Sequence, residues 1–148
     1  MHQIRTEIHI AASPEQVWKI LCDFDAYPEW NPLVPRMRGA AVTGSRLSLP
    51  TALGPEAPSS CRCATVEDAT PPRRLAWRTN MIARGVASSV HAFELSPDED
   101  RGGTHVRHQE TVTGAAAPLM WPMLRRFEPV FERLNQALKS RAEAAAPA

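Results

Sequence analysis

The spacing of hydrophobic residues changes three times along the 148-residue chain, and each change marks a new kind of element. From Gln3 to Ala11 apolar and polar positions alternate, with Ile4, Ile8 and Ile10 on one face, which predicts a first strand. The period then becomes helical. Ser13 is a good N-cap, Pro14 suits the first helical position, where no backbone donor is needed, and Gln16 stands where a capping box wants Glu or Gln. Val17, Trp18, Leu21 and Cys22 form one stripe that ends near Asp23, and Pro28 and Pro32 forbid a long continuation. Two short helices are therefore expected after the first strand.

Alternation returns in the middle of the chain. Segments near Met37 to Val42, Arg46 to Leu49, Cys61 to Glu67, Arg74 to Asn80, Val86 to Leu95 and Thr104 to Thr113 read as six further strands. Thr43-Gly44, Pro71-Pro72 and the polar Pro97 to Gly103 segment supply turns, so the expected sheet is an antiparallel meander of about seven strands. Pro50 to Ser60, with three prolines and no period, reads as a loop between strands or a flap over a cavity. From Ala117 to about Arg141 the spacing is helical again, through Met120, Met123, Leu124, Phe127, Phe131, Leu134 and Leu138, with Pro122 and Pro129 predicting kinks or a late start. Residues 1–141 are expected to form one α+β domain, with 142–148, an alanine-rich tail, frayed.

Composition narrows the function classes. A net charge of +1 with interspersed signs offers no field for nucleic acid or an anionic membrane surface. No apolar run approaches the roughly 20 residues of a spanning helix, and MHQIRTEIHI has no signal core, so a cytoplasmic protein without membrane insertion is expected. Cys61 and Cys63 lie two apart in a strand-like run, a poor arrangement for a disulfide and too few ligands for a structural metal. No phosphate-cradling glycine loop, dinucleotide fingerprint, nucleophile elbow or metalloprotease helix is present in the sequence. Neither metal nor cofactor is expected.

Ile10, Ala11, Pro14, Val17, Trp18, Leu21, Asp23, Phe24 and Tyr27-Pro28, followed by Trp30-Asn31-Pro32, carry a family resemblance. It continues through Gly44 to Leu47, Leu75 to Trp77, His91 to Leu95, Gly103-Thr104, His108 to Glu110, Gly114 and Phe131 to Lys139. In order and spacing these resemble the SRPBCC superfamily, the START and birch-pollen-allergen type proteins, and within it the polyketide cyclase/dehydrase branch. The resemblance implies a helix-grip fold, in which a curved sheet wraps the long C-terminal helix and leaves a cavity between them.

Period-two alternation puts His91 on the face of Phe93 and Leu95, and His108 and Glu110 on that of Val106 and Val112. Two histidines and a carboxylate then meet in an apolar space, as a structural network, a polar contact for a ligand, or acid–base groups. His91, His108 and Glu110 are thus the catalytic candidates. Trp77 alternates with Leu75 and is either core or cavity wall; Arg62, on the face of Ala64 and Val66, is either a cavity-mouth cation suited to a carboxylate or phenolate, or an edge residue. Asn135 lies between Phe131 and Leu138 on the apolar stripe and must be paired or touch a ligand. Trp30 gates a pocket or staples the broken helix to the sheet; Met120, Met123 and Phe127 stand near the implied entrance, as adaptable apolar surface or as plain core.

The expected function is binding of a small hydrophobic or aromatic molecule by a monomer or homodimer. The resemblance implies two alternatives: a cofactor-free polyketide aromatase, cyclase or dehydratase, and a protein-interaction accessory module.

Overall fold

A computed structural model describes residues 1–50, 61–83 and 85–146. Their elements run β1 (His2–Ile10), α1 (Pro14–Cys22), a 3-10 turn (Phe24–Ala26), α2 (Tyr27–Trp30), β2 (Arg46–Pro50), β3 (Cys61–Thr70), β4 (Arg74–Asn80), β5 (Ser88–Pro97), β6 (Thr104–Thr113), α3 (Ala117–Leu124), a second 3-10 turn (Arg125–Phe127) and α4 (Glu128–Ala145). The strands form one antiparallel sheet in the order β1-β6-β5-β4-β3-β2. The loop anticipated at Pro50 to Ser60 lies, beyond Pro50, outside the described residues.

Helix α1 begins as its sequence requires: the Ser13 hydroxyl accepts from the Gln16 amide at 3.3 Å and the Gln16 side chain accepts from the Ser13 amide at 2.9 Å. Buried Val17 and Leu21 face the core. The aromatic corner that follows is tied down locally. The Tyr27 hydroxyl donates to the Leu21 carbonyl at 2.6 Å, and Asn31 Oδ1 accepts from the amides of Leu33 and Val34 at 3.0 and 2.8 Å. That turn aims Leu33 and Val34 inward.

Two expectations need correction. The seven-strand count is six among the described residues, because Met37 to Val42 forms a single bridge, Arg38 to Ser48, and no strand. Gly39 has φ +125°, and a Cβ there would sit 2.6 Å from the Arg46 carbonyl oxygen. The chain bends against β2 at that point and cannot continue the ladder. The tail does not fray at residue 142: α4 runs to Ala145, with Ala142 fully buried and the Glu143 carboxylate accepting from the Ala11 amide at 2.9 Å. Compact alanines let the last turns of the helix pack close to the strand end.

Pro122 and Pro129 divide the C-terminal helical region as their missing donors demand. Pro122 lies within α3, Pro129 opens α4 in its first turn, and the 3-10 turn separates the two helices. The C-terminal stripe Phe131, Leu134, Leu138 and Ala142 is buried against the sheet, whereas Met120, Met123, Leu124 and Phe127 are only partly covered. The helical arm therefore seals the sheet at one end and stands off it at the other. Helix α4 also lies along the edge strand β1, where Lys139 Nζ donates to the His9 carbonyl at 3.0 Å.

Leu138→Ala, at a position with no solvent exposure, is expected to lower unfolding free energy by about 2–5 kcal/mol in chemical denaturation. Leu119→Ala, on a side chain 86% exposed, should change it by less than about 0.5 kcal/mol.

Candidate functional site

The strand register gathers the inward side chains into cross-strand rows. Val112, Ser89 and Thr79 lie opposite one another on β6, β5 and β4. The next row runs Ile4, Glu110, His91, Trp77 from β1 to β4. A third runs Thr6, His108, Phe93, Leu75. Adjacent rows on one face are two residues apart along each strand, so alternation alone dictates which residues share them.

The first two rows floor a cavity of about 190 Å³. Its opposite wall is Met120, Met123 and Leu124 of α3, Phe127 of the 3-10 turn and Phe131 of α4; Leu33, Val34, Leu49 and Met81 close the sides. Every polar lining group, namely Thr79, Ser89, His91 and Glu110, belongs to the sheet, and the helical wall is apolar throughout. Met123, 44% exposed, marks the solvent side.

Behind the floor lies the third row, covered by α4. Glu110 Oε2 is 3.0 Å from His91 Nδ1, His91 Nε2 is 2.7 Å from His108 Nε2, and His108 Nδ1 is 2.9 Å from Asn135 Oδ1. Asn135 Nδ2 donates to the Thr6 hydroxyl at 2.8 Å, and that hydroxyl donates to the His108 carbonyl at 3.3 Å. Aromatic packing holds the two imidazoles. The His91 ring stacks on Trp77 with centroids 4.7 Å apart and planes within 6°, and the His108 ring stacks on Phe93 at 4.3 Å with Phe131 edge-on at 4.6 Å.

Burial, and then the neighbouring His91, hold the His108 imidazole well below its ordinary value, outweighing the upward pull of its bond to Asn135. For Glu110, burial pushes the carboxyl up, but the hydrogen bond and positive charge of His91, with a hydrogen bond from Ser89, carry it below its usual value.

Of the residues anticipated from sequence, Trp77, His91, Glu110, Met120, Met123, Phe127 and Phe131 line the cavity. Phe93 and His108 are buried behind its floor, one row further under α4, and Asn135 meets His108 there from α4 itself. Trp30 does not line it either: its indole packs edge-on to Tyr27 at 5.2 Å, with an N–H that has no partner among the described residues. Arg62 pairs with Leu49 through the backbone, but its side chain lies outside the described residues. Thr79, Ser89 and Ile4 extend the rows, and two-residue steps from Trp77 and His91 would have found the first two. Met81 continues the same two-residue steps and Leu49 alternates with Leu47, whereas Leu33 and Val34 carry no such signal in the sequence.

Among the described residues no group of three or more His, Cys, Asp or Glu side chains could hold a metal ion, and no helix is long and apolar enough to cross a membrane.

The sequence profile of the family described as polyketide cyclase / dehydrase and lipid transport matches residues 1–143. A search of curated proteins gives no match. Solved structures share the fold at low identity. A hypothetical protein of Helicobacter pylori superposes with TM-score 0.74 at 16% identity, over 95% of this chain and 88% of its own. The Aha1 dimer of Colwellia psychrerythraea gives 0.67 at 21%, over 94% and 97%. The di-domain ARO/CYC StfQ from the steffimycin biosynthetic pathway gives 0.66 at 16%, over 97% of this chain and half of that one.

Both depressed groups bind protons more weakly in the folded than in the unfolded chain. Their stabilisation is complete above pH 6.5; it declines as the pH falls below 6.5, where unfolded His108 is protonated, and further below 4.5, where unfolded Glu110 is. Chemical denaturation of the wild type should show a loss of up to about 1.4 kcal/mol per pH unit from His108 below pH 6.5. His108→Gln, less stable at pH 7, should lack that component of the slope.

Proposed function

The chain belongs to the polyketide cyclase/dehydrase and lipid-transport family, and from that premise we propose that it binds a small hydrophobic or aromatic molecule between its sheet and its C-terminal helices. The observation that carries this reading is the 190 Å³ cavity with an apolar helical wall and a polar sheet floor. Apolar lining with a few convergent polar groups is the usual build of a small-molecule site, since burial supplies affinity and the polar groups supply orientation. A flat ligand would lie on the sheet floor beneath Met120, Met123, Leu124 and Phe127, with its polar substituent toward Glu110.

Catalysis is the second reading, favoured by one observation: a carboxylate and an imidazole share a hydrogen bond on the cavity floor. A cofactor-free cyclase or dehydratase needs such a pair to move a proton at an enolisable carbon. Binding is common to both readings and comes first.

Native mass spectrometry of the purified chain, followed by denaturing extraction, is expected to show a co-purifying lipid or aromatic compound. Ser89→Phe, which fills the floor of the cavity at a tolerable overpacking cost of about 1–3 kcal/mol, should abolish that adduct. Wild-type protein that stays empty and takes up no added aromatic compound would contradict the proposal.

A further inference from the structure

The directions of the buried hydrogen bonds can be worked out from their closed end. Thr6 has one hydroxyl proton, and it goes to the His108 carbonyl, so the Thr6 oxygen accepts from Asn135. That turns the Asn135 carbonyl oxygen toward His108, and His108 Nδ1 must carry a hydrogen to meet it. His108 is 1% exposed and stays neutral, which leaves its Nε2 bare. Two ring nitrogens 2.7 Å apart need one proton between them, so His91 donates from Nε2. One more proton lies between His91 Nδ1 and Glu110, as carboxylic acid with neutral imidazole or as carboxylate with imidazolium. The His91 charge against the face of Trp77 favours the second form.

Both nitrogens of His91 are thereby committed, so the residue offers a ligand no donor and no lone pair, only the edge of a stacked ring. The acceptor capacity left in this row belongs to the Glu110 carboxylate, whose two oxygens offer about four lone pairs, more than the bonds to His91 and Ser89 use.

Taking the ligand-binding reading as its basis, we infer that Glu110 is the specificity-determining acceptor of the cavity. The chain from Thr6 through Asn135, His108 and His91 orients it, and it selects a neutral aromatic or enolic hydroxyl compound over a carboxylate. A phenol places its ring against the apolar wall and donates its O–H to the carboxylate. A carboxylic acid of the same shape arrives as an anion and meets like charge.

Titration of the full chain with naphthalene, 2-naphthol and 2-naphthoate, followed by calorimetry or Trp fluorescence, separates the possibilities. The hydroxyl should improve binding about tenfold over naphthalene, the ratio one hydrogen bond to a charged group supports, and 2-naphthoate should bind more weakly than naphthalene. In Glu110→Gln the naphthol advantage should shrink to about threefold or less and the naphthoate penalty should vanish. In Thr6→Val, which removes the closed end of the chain and leaves Asn135 and His108 in place on α4 and the sheet, naphthalene should still bind while the naphthol advantage falls; full retention there would refute the orienting role of the chain. If 2-naphthol gains nothing over naphthalene in the wild type, the inference is overturned and the binding cavity stands. If naphthalene does not bind either, the binding reading falls and takes this inference with it.

Discussion

A hydrogen-bonded chain buried under α4 is the constraint on which the rest of the molecule depends. It starts at Thr6 on β1, passes through Asn135 on α4 and His108 on β6, and ends at His91 on β5 beside Glu110. Buried polar groups of this kind destabilise a fold unless every one is paired, and pairing all of them leaves one permitted seating of the helix on the sheet. Asn135 is the pivot, since its amide bonds a strand residue on either side, Thr6 through nitrogen and His108 through oxygen. An apolar residue at that position could slide along the stripe; an asparagine cannot without stranding both partners.

That fixed seating explains why a cavity survives in a small domain. Proteins close-pack their interiors, so an internal space needs something that stops collapse. Here the C-terminal stripe of α4 is pinned by the chain and by Phe131, Leu134, Leu138 and Ala142, while the two prolines break the helical arm before it can follow the sheet. Met120, Met123, Leu124 and Phe127 are left facing the floor across a gap. The row of Glu110, His91 and Trp77 is thereby left as the floor of the cavity.

Much of this was readable in the sequence because it rests on local rules. The capping box at Ser13 and Gln16, the inward alternation of His91 with Phe93 and of His108 with Val106, and the proline breaks all follow from short-range geometry. What stayed hidden was set by register and approach. Period two places His91, His108 and Glu110 on one face, but only pairing across β5 and β6 sets His91 opposite Glu110, which puts both on the cavity floor and His108 one row behind. Met37 to Val42 alternates like a strand, yet a glycine with positive φ pressed against β2 turns it away. The alanine-rich tail reads as loose by composition, and its small side chains are what let it dock.

The most direct test of the buried chain is nitrogen-15 NMR of the histidine side chains in the wild-type protein across the pH range where it stays folded. The assignment predicts that His108 is neutral throughout, protonated at Nδ1 and bare at Nε2, and that His91 carries hydrogen at Nε2 facing it. A His108 ring that carries its hydrogen at Nε2, or that titrates near its ordinary value, would contradict the chain, and with it the orientation of Glu110 and the polarity of the cavity.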